Sequence, residues 1–329
     1  MSELQRIELL GAAAETPRVG FGCSNLLGDK TPKVGLGLLH AAYESGIRHF
    51  DVARVYNYGD AEGLVGEFIS GKRDKITIST KFGLMPREGV AKMKGPVRLV
   101  RRLMRSSSWI RKRVRQNIKS LTQGGQFDPV TARISLETSL RALRTDYIDI
   151  YLLHECSVSD CSDETLGFLE HAKSEGKIRT FGCGTAFEKV PPIATTRPEF
   201  LQVAQFESSI LSPNLKSFES IRPVQNLLSI THGALSAALT MKARLASDAA
   251  FEEDLIRGTG VEIHHGSALY GLLLRHAMRE NPNGIVLFRA GAAERIRSTL
   301  KAMEGISLSD EQLGALRTMV TESPKTNPA

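Results

Sequence analysis

The 329-residue chain is poor in aromatic residues (6%, with one tryptophan) and has only four cysteines. None of Cys23, Cys156, Cys161 and Cys183 forms a CxxC pair, and only Cys156 and Cys161 stand close together. A structural zinc site needs ligand pairs at short spacing, and a disulfide framework needs more cysteines in a shorter chain. The four read as reduced thiols of a cytoplasmic enzyme, and no metal is expected. Long apolar runs are missing too, since none approaches the ~18 residues of a membrane-spanning helix. The opening MSELQRIELLGAAAETPR carries acidic residues early and no unbroken apolar core, so no secretory signal is predicted. Also absent are a GxGxxG loop between strand and helix, zinc-finger spacing, an aromatic RNA-binding signature and a helix-turn-helix pattern.

What remains is a composition of 41% hydrophobic and 24% charged residues, ordinary for a globular enzyme and unlike a disordered or collagenous chain. The net charge of +7 raises polyanionic partners. It has a local origin, however. Between Lys92 and Lys119 there are 11 basic residues and no acidic ones, and without that segment 32 basic residues face 36 acidic ones. Nucleic acid is therefore not an expected partner. Residues 96–119, PVRLVRRLMRSSSWIRKRVRQNIK, place Val100, Leu103, Met104, Ile110, Val114 and Ile118 near helical spacing around Trp109. Three readings of these basic helices stand open. They pack on a rim with solvated arginines, they form a lid favouring an anionic substrate, or they make peripheral contact with anionic lipid.

Eight β-rich runs recur along the chain: Val19–Cys23, Arg48–Val52, Ile76–Phe82, Tyr147–His154, Arg179–Thr185, Leu201–Phe206, Leu227–His232 and Gly284–Arg289. Amphipathic helical patterns separate most of them, at Val34–Ser45, Ala61–Ser70, Ile134–Leu143, Glu164–Glu175, Glu262–Arg279 and Ala293–Met303. Gly46, Gly71 and Gly176 sit where helices must stop. Eight strands alternating with helices predict a closed parallel (β/α)8 TIM barrel spanning 1–329 as one domain. The insertion at about 88–128 follows the third strand, a second long connection follows the seventh, and Ser323–Ala329 reads as a frayed tail.

Barrel enzymes keep their catalytic groups at the carboxyl ends of the strands. Asp51 ends the second strand in HFDVARVYNYG, and Tyr56 follows five residues on. Lys81 ends the third in TISTKFG, and His154 ends the fourth in YIDIYLLHE. A lysine in such a strand is costly to bury unless paired, and Asp51 is its natural partner. A nearby ammonium lowers a phenol's pKa. The set suits proton delivery to a carbonyl oxygen as hydride reaches its carbon. Tyr58 is a competing phenol two residues from Tyr56.

These pieces, with SLRALRTDYIDIYLLH, GKIRTFGCGT, VAQFE and IVLFRAGAAERIRSTL, resemble the aldo-keto reductase superfamily over about residues 18–87 and 130–310. The resemblance implies a tetrad of Tyr56 as general acid/base, Asp51 and Lys81 tuning it, and His154 orienting the substrate carbonyl. It implies an NADP(H) cofactor with Gln205 on the nicotinamide carboxamide. The family's Ser-Asn pair is replaced here by Gly184-Thr185, and its stacking aromatic aligns with His232. Arg289 and Arg295 match the family's pair on the 2′-phosphate, where the paired guanidinium nitrogens suit phosphate oxygens; the adjacent family serine is Ala290. The implied activity is NADPH-dependent reduction of an aldehyde or ketone. Oxidation of a sugar or alcohol, or a regulatory subunit with little turnover, are the alternatives. Substrate selection is expected in Leu84–Val130, in the loop after the seventh strand, and at Val55 and Phe82.

Overall fold

The computed structural model describes residues 4–9, 15–27, 30–86, 122–123, 125–221, 227–263 and 266–321. Eight parallel strands close into a barrel: β1 (Val19–Gly22), β2 (His49–Asp51), β3 (Thr77–Phe82), β4 (Ile148–His154), β5 (Ile178–Gly184), β6 (Val203–Glu207), β7 (Leu228–His232) and β8 (Ile285–Phe288). The strands are hydrogen-bonded in chain order, and β8 pairs back to β1 to complete the circle. The (β/α)8 expectation holds for the barrel. The basic insertion with its 96–119 helices, and the tail Ser323–Ala329, lie outside the described residues.

Local signals explain the helices between the strands. Thr31 Oγ1 accepts from Val34 N ahead of Pro32–Glu44, and Asp128 caps Pro129–Leu143 through Thr131 N. In both, proline occupies the first turn, where its missing N–H costs nothing. The Asp128-Pro129 start makes this helix five residues longer than the apolar periodicity from Ile134 predicts. Gly46, Gly71 and Gly176 take φ of 93°, 73° and 73°, the left-handed turn that lets each chain end leave its helix.

Strand alternation decides what fills the barrel. Ile150, Leu152, Val203, Leu228, Ile230, Ile285 and Leu287 point inward and pack with Leu9. Leu9 follows Arg6–Glu8, which pairs antiparallel with Glu15–Pro17. The hairpin thus contributes to the barrel's interior from below, at the amino ends of the strands. Gly182 allows β5 and β6 to meet, because a Cβ there would stand 1.8 Å from the Val203 carbonyl oxygen.

At the opposite end, the register lines up the strand ends: Gly22 beside Asp51, Asp51 beside Ser79, Lys81 beside Leu152, His154 beside Gly184, and Gly184 beside Gln205. The long connection after β7 folds into helices Ala238–Ser247 and Ala249–Thr259, which share a second apolar cluster with Gly266–Glu280. Backbone pairing of Met85–Pro86 with Thr122–Gln123 holds the two ends of the insertion together at this mouth. Among the described residues no helix is long and apolar enough to cross a membrane.

Candidate active site

A cavity of about 580 Å³ opens at the carboxyl ends of the strands, lined by Asp51, Tyr56, Lys81 and His154 together with Thr185, Gln205, His232 and Arg289. The four residues read as catalytic from their strand ends therefore meet in one place.

Asp51 anchors the floor. One carboxylate oxygen, Oδ1, accepts from Lys81 Nζ (2.7 Å), Ser79 Oγ (2.7 Å) and Gln205 Nε2 (2.8 Å). Burial alone would raise its pKa, but Lys81 and these donors outweigh it and hold the carboxyl below its ordinary value. Burial likewise works against the Lys81 ammonium, and Asp51, then Tyr56, more than compensate, so its pKa is raised. Lys81 also donates to the Val52 carbonyl at 3.1 Å. The pair is ionised at neutral pH although Lys81 is only 2% exposed.

Tyr56 begins a single 3₁₀ turn, Tyr56–Gly59, directly after β2. Its ring centre lies 5.1 Å from Lys81 Nζ and 6.1 Å from the His154 ring, edge to face. Burial raises the phenol's pKa; Lys81 pulls the other way without cancelling it. This corrects the expectation that the ammonium would set the direction. The phenol is held protonated, as a proton donor requires.

His154 is pushed down to about 3, first by burial and then by the Lys81 charge. Its imidazole is neutral across the working range. Nδ1 is buried and has no partner among the described residues. Asn57 and Glu155, the residues that follow Tyr56 and His154, take positive φ (53° and 61°). Non-glycine residues rarely do so, and such strain gathers at functional sites.

The residues that the resemblance assigns to the cofactor fall mostly on the same cavity. Gln205 has its amide nitrogen committed to Asp51, while Oε1 faces Gly184, where a Cβ would sit 3.0 Å away. Thr185 donates its hydroxyl proton to the Cys156 carbonyl (2.9 Å), leaving lone pairs only. Both residues thus offer acceptors. His232 stands at the end of β7 against the cavity. Arg289 lines the rim and donates to Ser24 Oγ at 3.2 Å. Arg295 is in the first turn of Ala293–Glu304, away from the cavity wall, with its guanidinium 5.6 Å from the Tyr270 ring. The side chain of Tyr58 lies outside the described residues.

Phe82 does not border the cavity: it stacks on Tyr151 at 4.8 Å in the outer core. Sequence reasoning missed Ser79 and Ser24, whereas the Gly233–Ser236 stretch of the wall falls in the loop after the seventh strand, where substrate selection is expected. Ser79 was within reach, because it lies two residues before Lys81 and so shares its face of β3.

The Aldo/keto reductase family profile matches residues 18–320. The uncharacterized oxidoreductase YqkF of Bacillus subtilis is 26% identical over 322 residues, 91% of each chain. The holo form of the aldo-keto reductase AKR11C1 from Bacillus halodurans superposes with a TM-score of 0.70 at 18% identity, over 96% of each chain. An aldo-keto reductase from Klebsiella pneumoniae, solved in complex with NADPH, gives 0.64 at 20% identity, covering 99% of this chain and 98% of its own. Such structural likeness establishes the shared barrel, and the profile match over nearly the whole length establishes kinship: this chain belongs to the aldo/keto reductase family of oxidoreductases.

Proposed function

We propose that the protein is an NADPH-dependent reductase of an aldehyde or ketone, with Tyr56 as the proton donor. The observation that carries this reading is the buried Asp51–Lys81 pair beside a protonated Tyr56 and a neutral His154, all facing one cavity.

The residues present suit the cofactor. Gln205 Oε1 and Thr185 Oγ1 offer acceptors for a carboxamide NH₂ beside bare Gly184, and His232 offers a flat ring at the facing strand end. Arg289 and Arg295 meet no carboxylate among the described residues, so both guanidinium groups are available to phosphate. When bound, the nicotinamide supplies the hydride for the carbonyl carbon. His154, neutral, donates an N–H toward the carbonyl oxygen and fixes its position. Tyr56 gives its proton to that oxygen as negative charge develops there, and Lys81 steadies the resulting phenolate. Asp51 keeps Lys81 charged and in place. The same groups run in reverse serve alcohol oxidation.

The test is single-turnover consumption of NADPH against a panel of aldehydes and ketones. Turnover on at least one is expected. Tight NADPH binding with no turnover on any carbonyl or alcohol would instead favour a regulatory subunit.

Cofactor choice is a second expectation. Replacing Arg295 by alanine should raise KM for NADPH by about tenfold and leave NADH unchanged, the scale of one lost charged hydrogen bond. Equal use of both cofactors, unaltered by Arg295→Ala, would remove the assignment.

The pH profile follows from the directions above. His154 takes up a proton only near pH 3 and Tyr56 loses its proton only above its ordinary value. The hydride-transfer step in reduction should therefore be flat from about pH 5 to 9 and fall only on the alkaline side. An inflection near pH 6.5 that vanishes in His154→Gln would contradict a neutral imidazole.

A further inference from the structure

Three thiols from two separate segments of the chain converge behind the candidate active site. The sulfurs of Cys156, Cys161 and Cys183 all lie within 4.8 Å of one another, and all three residues are buried. None lines the catalytic cavity. Cys183 lies on the outward face of β5, where it packs with Cys156 and Cys161 in the core between strands and helices. The other two come from the segment after β4: Cys156 two residues past His154, and Cys161 immediately before Ser162, which caps Asp163–Ser174.

We propose that this triad is a binding site for a soft, three-coordinate thiophilic ion, best matched by trivalent arsenic taken up as arsenite. The number and kind of ligands argue first. Soft thiolate sulfur selects soft ions, and bonds near 2.3 Å at the roughly 100° angles of a pyramidal trivalent ion set three sulfurs about 3.5 Å apart. With the sulfurs within 4.8 Å of one another, they need to close by at most about 1.3 Å to reach that spacing. No fourth histidine, cysteine or carboxylate joins the group among the described residues. A structural zinc ion almost always takes four ligands, so the site fits an ion content with three.

Charge selects among such ions. Arg197 donates to the Cys161 carbonyl, but its guanidinium is already shared between Asp163 (2.7 Å) and Glu199 (2.5 Å). Three thiolates around a monovalent ion leave two negative charges in the core, and around a divalent ion one. A trivalent ion leaves none, and burying unbalanced charge is costly. Assembly is balanced without redox chemistry. Three As–O bonds of arsenous acid break, three As–S bonds form, and the thiol protons leave in three molecules of water. The backbone around the triad is already braced, since the Cys156 carbonyl accepts from Thr185 Oγ1 and Asp160 accepts from Ser157 N at 2.8 Å.

The test uses the full chain, reduced with a phosphine and titrated with arsenite. One arsenic per chain is expected in native mass spectrometry, with X-ray absorption showing three sulfur neighbours and no oxygen. The melting temperature should rise by roughly 4 °C at arsenite about 100 times Kd. Cys161→Ser should weaken binding by more than about 100-fold, because losing outer-shell partners alone costs metal sites 10–100-fold, while Cys23→Ser should leave it intact. A cuprous-ion titration with the same readouts forms the second arm, and binding there without arsenite binding would retain the three-thiolate site but reassign its occupant. Absence of both ions, arsenic bound through fewer than three sulfurs, or a Cys156–Cys161 disulfide formed in place of ion binding would overturn the proposal. The absorption measurement on the unaltered protein decides even if Cys161→Ser fails to fold.

Discussion

Replacing Tyr56 by phenylalanine is expected to lower kcat for carbonyl reduction by roughly 10²- to 10⁴-fold, the usual contribution of a positioned general acid. At about 1.36 kcal/mol per factor of ten, this removes some 3–5 kcal/mol of transition-state stabilisation. The phenol touches the reaction only through its proton, so NADPH affinity should stay within about twofold of the wild type. Folding should be unaffected, because Tyr56 is only partly buried and only the hydroxyl is lost. Tyr58→Phe is the control, and it should retain nearly full activity. If the two variants exchange these phenotypes, the proton comes from Tyr58 and the 3₁₀ turn after β2 presents a different phenol to substrate.

How much of this was legible follows from which physical signals are local. Strand periodicity and stop glycines are local, so the barrel and the positions of Asp51, Lys81 and His154 at its mouth could be read directly. Alternation also forbids Lys81 and Phe82 from facing the same side of β3, which places Phe82 in the outer core. The direction of the Tyr56 shift was not legible. It is a contest between burial and a nearby charge, and sequence reveals only the charge. The commitments of Gln205 to Asp51 and of Thr185 to the Cys156 carbonyl depend on which strand ends the closed barrel brings together, and residue types do not encode that. The cysteine cluster is the clearest such case. Spacing argued against metal ligation, yet the β4–β5 pairing sets Leu153 beside Cys183 and so draws distant thiols together.

Lys81→Met tests the floor of the site through stability and activity at once. The variant removes the ammonium from a carboxylate that is 4% exposed and leaves Asp51 with only the neutral donors Ser79 and Gln205. Breaking a buried pair from one side leaves an uncompensated charge, and a loss of about 3–5 kcal/mol is expected in denaturant unfolding. The double variant Asp51→Asn/Lys81→Met should recover most of that stability, because no charge remains to strand. It should recover no activity, since Tyr56 still lacks the cation that steadies its phenolate. The pH dependence separates charge from packing. In the wild type the depressed Asp51 pKa contributes stability at neutral pH that is lost as pH falls through it. In Lys81→Met the same carboxyl moves above its unfolded value, so its penalty is greatest at neutral pH and fades on acidification as the group takes up a proton. The stability gap between wild type and variant should therefore narrow from pH 7 toward pH 4. A gap that stays constant would mean that methionine merely packs badly beneath Tyr56, and that the buried charge pair is not what holds the floor in place.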